Sequence, residues 1–202
     1  MGNVVVGLSM SADGIASGTS EEDFWDVHEA VLGWLFGLRS WREAQGMEGG
    51  DDTEESRLWA ETFARTGAQI VGRRMFDFSF PHWGDNPPFH CPVFVVTHRA
   101  AEPIVKEGGT TYRFVATGLA DAVSQARAAA GDKDVLIAGG LSVAQQVLAE
   151  GLADELDLHI SPVLVSRGAR LLDNLGSRKI PLELSSAQIG DGAVHLRYKV
   201  GK

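Results

Sequence analysis

The stretch DVLIAGGLSVAQQVLAEGLADELDLHISPVLV, Asp134 to Val165, holds an apolar run that meets Gly139-Gly140 and then opens a helical pattern. Two glycines at such a junction let the backbone approach a ligand closely, and the leading N–H groups of a helix favour a pyrophosphate. Two further turns follow short apolar runs in the same way: Arg73 and Arg74 after AQIVG, and Thr97, His98 and Arg99 after PVFVV. A guanidinium grips two phosphate oxygens and a threonine hydroxyl adds another bond, so these turns suit a phosphomonoester. A ribose 2′-phosphate is the natural fit, which makes the expected dinucleotide NADPH rather than NADH. Each signal is weak alone, because glycine pairs and paired arginines more often mark plain turns. Their shared position at one predicted edge of one sheet is what joins them.

The elements that must position these residues show two kinds of apolar pattern. VVVGL (Val4 to Leu8), PVFVV (Pro92 to Val96) and VLIA (Val135 to Ala138) are continuous apolar runs and predict central parallel strands covered on both faces. ELDLHI and AVHLRYKV alternate instead. Leu156, Leu158 and Ile160 share one face, as do Val194, Leu196, Tyr198 and Val200, which predicts antiparallel strands with one polar face. Between the strands, Ser20 opens a helix over Glu21 to Arg39, a polar Gly-rich loop covers Arg42 to Ser56, and a second helix runs from Arg57 to Arg65. Thr117 is the expected cap of a third helix, and Ser142 with Gln145 reads as a capping box for a fourth, closed by a left-handed Gly151. This alternation argues an α/β fold around a mixed twisted sheet, where ligands gather beyond the carboxyl ends of the strands.

Composition bounds the function classes. The 202 residues are 44% hydrophobic, enough for one core, so a single domain over 1–202 is expected, with a helical and Gly-rich insertion at about 19–53. A net charge of -9 and a pI near 5.1 oppose binding to nucleic acid or an anionic membrane. The single cysteine, Cys91, has no internal disulfide partner and no zinc spacing, which predicts a packed or partly exposed thiol without a catalytic role and a cytoplasmic setting. No two His or acidic residues show metal spacing, so no metal is expected. MGNVVVGL lacks a signal-peptide pattern, Val6 stands where myristoylation wants Ser or Thr, and no apolar run is long enough for a bilayer.

Other residues allow both a chemical and a plain reading. Asp13 before Gly14 is an acid candidate or a turn residue bonding its own backbone. Asp26, His28 and Glu29 fall on predicted exposed helix positions, and His159 falls on the polar face of its strand, where a structural role is favoured. Trp83, in the aromatic segment Phe78 to Pro92, is the candidate substrate contact, with core packing as the alternative. In the insertion, Phe24, Trp25, Leu32, Trp34, Phe36 and Trp41 extend beyond one stripe, which suits an oligomer interface or a lid.

The segments GLSMSADGIAS, GAQIVGRRMFD, PVFVVTHR, VLIAGGLSVAQQVLAEGLADELDLHISPVLVSRGARLLD and HLRYKV together resemble the dihydrofolate-reductase-like superfamily. They are most similar to the reductase half of bifunctional riboflavin-biosynthesis deaminase-reductases, here standing alone, with no HxE or PCxxC of a deaminase half. The resemblance implies a three-layer fold with a central mixed, mostly parallel twisted sheet and antiparallel C-terminal strands. It implies that Gly72 and Arg73, with Arg74, hold an adenosine 2′-phosphate, although Met75 replaces the common Thr. Thr97, His98 and Arg99 match the other side of that site; Gly139, Gly140, Leu141, Ser142 and Val143 match the pyrophosphate turn; Ile15 and Ala16 match the segment along the nicotinamide ribose. Asp13 then lies on the nicotinamide loop, and a homodimer is implied. The named activity nearest this pattern is NADPH-dependent reduction of 5-amino-6-(5-phosphoribosylamino)uracil, whose phosphate Arg167 and Arg170 could cradle. The alternatives are dihydrofolate reduction, which needs a carboxylate that Glu54 or Glu55 supplies only if the acidic loop folds inward, and a non-catalytic dinucleotide-binding or interaction protein.

Overall fold

Runs of β-branched residues with no polar interruption form the middle of the molecule. In the computed structural model, which describes residues 2–177 and 179–201, the chain opens with β1 (Val4–Ser11) and β2 (Ile15–Ser17). Helices α1 (Glu21–Phe36), α2 (Arg39–Ala44) and α3 (Glu54–Arg65) follow, then β3 (Thr66–Gly72), α4 (Arg73–Ser79), β4 (Pro92–Val96), β5 (Ile104–Val105) and β6 (Thr111–Val115). The second half comprises α5 (Leu119–Ala130), β7 (Asp134–Gly139), α6 (Leu141–Ala149), β8 (Glu155–Ser161), β9 (Ala169–Arg170), β10 (Leu182–Ile189) and β11 (Val194–Val200). Nine strands form one sheet in the order β10-β11-β8-β1-β7-β3-β4-β6-β5. The strands from β8 to β6 run parallel, whereas β11 and β10 at one end and β5 at the other are antiparallel. The expected mixed, mostly parallel α/β sheet with antiparallel C-terminal strands is present.

Strand alternation gives the sheet two different faces. Val4, Val6, Ala68, Ile70, Val135 and Ile137 pack with α5 and α6 into one dense core, each fully buried Val or Ile worth about 1.5–3 kcal/mol. Their neighbours Gly7, Ser9, Gln69, Leu136, Asp157 and His159 sit on the opposite face and line a cleft that α1 and α3 roof. Three layers result: α5 and α6, the sheet, and the helices from the first third of the chain. No helix among the described residues is long and apolar enough to cross a membrane.

Several expected boundaries move. The first helix stops at Phe36, with Gly37 as C-cap, and the expected loop from Arg42 to Ser56 shrinks to Gln45–Thr53 between α2 and α3. Thr53 is the true cap of α3, accepting from Ser56 N–H at 3.2 Å. Thr117 is not a helix cap: Gly118 holds that position, and the Thr117 hydroxyl bonds the Asp121 carboxylate. Ser142 is not a cap either, because the helix begins two residues earlier than such a cap requires, at Leu141, with Gly140 as N-cap, and Gln145 instead donates to the carbonyl of Arg170 at 2.9 Å. On β11 the alternation is only half right. Leu196, Tyr198 and Val200 join the core, but Val194 is exposed and His195, on the expected polar face, is buried.

Candidate active site

The two glycine turns meet. Gly140 follows β7 at φ 83°, and a Cβ there would lie 2.5 Å from the amide nitrogen of Gly72, so neither turn tolerates a side chain at the contact. This brings the start of α4 beside the start of α6, which no side chain caps. Its leading N–H groups are therefore left for a ligand. Gly139 is constrained less, since a Cβ there would meet only the movable end of Met75, the residue where the resemblance expects Thr. Gly72, Arg73, Arg74, Thr97, His98, Arg99, Gly139, Gly140, Leu141, Ser142 and Val143 all line one cleft of about 1040 Å³. That is at the upper end of the ~300–1,000 Å³ usual for one ligand, enough for an extended dinucleotide and a second ring.

Their charges are already partly engaged. Arg73 Nε bonds Asp77 Oδ1 at 2.7 Å, and Arg99 Nη2 reaches Asp77 Oδ2 at 3.4 Å, so one carboxylate sits between two guanidiniums. Arg74 turns the other way, donating to the carbonyls of Gly18 (3.4 Å) and Ser20 (3.2 Å) while its guanidinium lies over Phe78. It therefore tethers the segment leading into α1. Thr97 is buried and accepts from the backbone N–H of Arg99 at 3.1 Å, which fixes the turn and leaves its O–H as a donor; His98 is exposed on the rim.

On the other loop the expectations divide. Ala16 lines the cleft, but the Ile15 side chain does not: it is buried against Val27 and Val31 beneath α1. Asp13 does not line it either. Its carboxylate accepts from Ser11 Oγ at 2.6 Å, Ser166 N–H at 2.8 Å and Val165 N–H at 3.1 Å, which pushes its pKa down to about 2. A carboxyl held there has no proton to give at neutral pH; the geometry makes Asp13 a latch between the β1–β2 turn and the loop before β9. Arg170 lines the cleft while bonding the Asp13 carbonyl, and Arg167 is exposed outside it. Trp83 lines the cleft and also stacks on Tyr112 with ring centroids 5.7 Å apart.

Beyond the glycine turns the cleft deepens between the sheet and its helical roof. Trp25, His28, Phe36 and Trp41 from the insertion and Trp59 and Phe63 from α3 give it an aromatic wall. His28 thus faces the cleft rather than solvent, and burial pushes its pKa down. Two buried polar atoms there, Ser9 Oγ and Trp59 Nε1, have no hydrogen-bond partner among the described residues, an arrangement that costs stability unless a ligand supplies one.

A group that sequence reasoning undervalued stands beside them. Glu55 is buried, and its carboxylate accepts from the N–H groups of Gly192 (3.1 Å) and Ala193 (3.0 Å) and meets His195 Nε2 at 2.9 Å. His195 Nδ1 in turn lies 2.7 Å from Nδ1 of His159, and His159 lines the cleft. Trp34 covers both imidazoles, 5.0 Å from His195 and 5.3 Å from His159 between ring centroids. Glu54, by contrast, is exposed and paired with Arg57. The acidic segment does fold inward, through Glu55 alone.

Comparison with known proteins identifies the fold and the family. A riboflavin biosynthesis assignment attaches to the Shewanella sp. PV-4 protein whose solved structure superposes with a TM-score of 0.71 at 20% identity, over 99% of both chains. RibD from Acinetobacter baumannii gives 0.65 at 17% identity over the whole of this chain, which spans 59% of that one. Dihydrofolate reductase from Enterococcus faecalis, solved with NADP(H), gives 0.56 at 11% identity, covering 99% of this chain and 97% of that one. At these identities the likeness establishes the fold. A search of curated protein sequences finds no match. The family model described as the RibD C-terminal domain matches residues 3–196, nearly the whole chain, and on that match this protein belongs to the RibD C-terminal domain family.

Proposed function

We propose that this protein is an NADPH-dependent reductase of a small heterocyclic substrate. The observation that carries the reading is the contact between Gly72 and Gly140, which sets two side-chain-free turns together at the mouth of a cleft with arginines on one side and an aromatic cavity beyond. The residues present fit a dinucleotide: Gly139, Gly140, Leu141 and Ser142 at the uncapped start of α6 for the pyrophosphate, Arg73 and Arg99 for a 2′-phosphate, and Ala16 for the nicotinamide ribose. Bound there, the cofactor supplies a hydride. The protein's own work is to hold the substrate ring against the aromatic wall, satisfy its polar atoms from Ser9 and Trp59, and exclude water.

For the substrate, the family and the fold support a ribosylaminopyrimidine phosphate. A second reading, a planar substrate without phosphate, is favoured by the roof: among the described residues of α1, α2 and α3, none lining the cleft is Lys or Arg. Dihydrofolate reduction has less support, since Glu55 is turned into the 190–193 turn instead of the cleft. The exposed edge strand β10, with Leu182 and Leu184 uncovered, supports a homodimer, and the buried free thiol of Cys91 supports a reducing, cytoplasmic setting.

Nicotinamide fluorescence titrations with NADPH and NADH, on wild type and on Arg73→Ala, test the cofactor. NADPH is expected to bind about tenfold or more tighter than NADH, with the difference abolished in the variant. Equal affinities, or a variant that keeps the preference, would reject the 2′-phosphate site.

A further inference from the structure

We propose that His159 is the group that delivers the proton to the reduced substrate, and that Glu55 and His195 are positioning residues that set its tautomer and recharge it; this rests on the reductase reading above. Reduction of a C=N or C=O bond by hydride leaves an electron pair on the heteroatom, which must take a proton. Asp13 cannot supply it, and Glu55 does not reach the cleft. His159 lines the cleft, and the chain behind it runs inward to a buried carboxylate.

The hydrogen bonds restrict where protons can sit. Glu55 accepts two backbone N–H groups, so it is the ionised acceptor, and the Nε2 of His195 that faces it carries a hydrogen. One proton then lies between the two Nδ1 atoms, 2.7 Å apart. When it resides on His195, that ring is a cation beside the Glu55 carboxylate, and His159 presents Nε2–H. When it resides on His159 Nδ1, the Nε2 of His159 is a bare lone pair. The transfer therefore balances as follows. Hydride adds to the substrate carbon, the C=N or C=O pair moves onto the heteroatom, and the heteroatom takes the Nε2 proton of His159. The shared proton shifts from His195 to His159 Nδ1, His195 becomes neutral, and solvent later restores one proton. His159 never carries a net charge in this cycle, consistent with a ring that burial and the nearby His195 and Arg197 hold neutral.

The surroundings suit this use. Gly190 and Gly192 wrap the carboxylate so tightly that a Cβ on Gly190 would strike Glu55 and one on Gly192 would strike Trp34. The charged and titratable groups facing the pair are few. Glu55 comes from α3, Asp157 and Arg197 come from β8 and β11 as a bidentate pair at 2.9 and 3.0 Å, α1 contributes the uncharged Trp34, and β10 places the neutral Gln188 opposite His195.

Histidine ¹⁵N NMR of the NADP⁺-bound protein, with Glu55→Gln and His195→Asn beside wild type, reads the relay without substrate. Both rings are expected to titrate as one coupled unit, with His159 Nε2 changing from N–H to lone pair, and Glu55→Gln should lower the midpoint by about one pH unit, tenfold in protonation, or more. Rings that titrate independently in wild type, or an unmoved midpoint in Glu55→Gln, overturn the proposal. If Glu55→Gln does not fold, His195→Asn decides: His159 must lose its titration there. In a second arm, His159→Asn should bind NADPH as wild type does and reduce 5-amino-6-(5-phosphoribosylamino)uracil about 10²–10⁴-fold more slowly. Undiminished reduction overturns the relay. Wild type that binds NADPH but leaves this probe unreduced removes the substrate reading only, and the NMR result still decides the relay.

Discussion

Asp77 lies between Arg73 and Arg99 where a phosphate would compete for the same two guanidiniums. Exposed pairs of this kind are worth about 0.2–1 kcal/mol, so Asp77→Asn is expected to tighten NADPH by about two- to fivefold and leave NADH nearly unchanged, read by the same fluorescence titration. His159 makes a pH prediction. Its pKa falls from 6.5 to about 3 in the folded protein, because burial disfavours the charged ring, so the unfolded chain binds the extra proton between those values. Stability should therefore rise with pH across that window, by at most about 1.4 kcal/mol per unit, and His159→Asn should flatten the slope in urea melts at stepped pH. Asp13 makes a narrower one. Its contribution is fully present above about pH 4 and is lost as pH falls toward 2, so the margin of wild type over Asp13→Asn should shrink across that range and no other. Arginines and glycines beside strand ends were legible because their meaning is local. The Glu55–His195 contact joins residues 140 apart, and strand alternation cannot tell a face bathed in water from one covered by a helix.

Among the elements, the two glycine-ended strands decide most. Gly140→Ala would force a Cβ against Gly72 at a positive φ, with an expected loss of about 1–3 kcal/mol in thermal melts and of NADPH binding. Melts and titrations indistinguishable from wild type would mean the turns do not meet as described. The central strands β1, β3, β4 and β7 could be read from their apolar runs, β8 and β11 from alternation, and α1 and α5 from their periodicity, whereas β5, β6, β9 and β10 carry no such signal. The helix starts at Gly118 and Gly140 could not, because a nearby Thr or Ser is the ordinary signal and glycine takes its place only where another backbone comes close or φ is positive. Ile15 was misread for a related reason: its loop lies at the cleft, yet alternate side chains along β2 face opposite ways, and its own goes under α1.

Across the whole molecule, the middle of the sheet was legible, while its edge strands β5, β6 and β10 and the cleft were not. A sequence shows which faces are apolar but not where two layers stay apart, and here the α1–α3 layer stands off the same sheet that α5 and α6 pack tightly. The far edge of that sheet is β10, exposed along nearly its whole length, including Leu184 at 55%. For the proposed homodimer, Leu184→Lys should leave the melting temperature of the fold within a few degrees while lowering the sedimentation mass from two chains to one; a two-chain mass kept in the variant would put the interface elsewhere, and a one-chain mass in wild type would reject the dimer.

The same cleft has a thermal consequence. On one face of the sheet a bound ligand takes the place that side chains fill on the other, so occupancy should act as added core. A ligand at about 100 times its dissociation constant stabilises by about 2.7 kcal/mol, which for a chain of this size is roughly a 5–10 °C rise in melting temperature. Heat can therefore rank candidate metabolites in the presence of saturating cofactor before any of them is seen to react. The compound that raises the melt furthest is the one whose shape the missing half of the interior was built to receive.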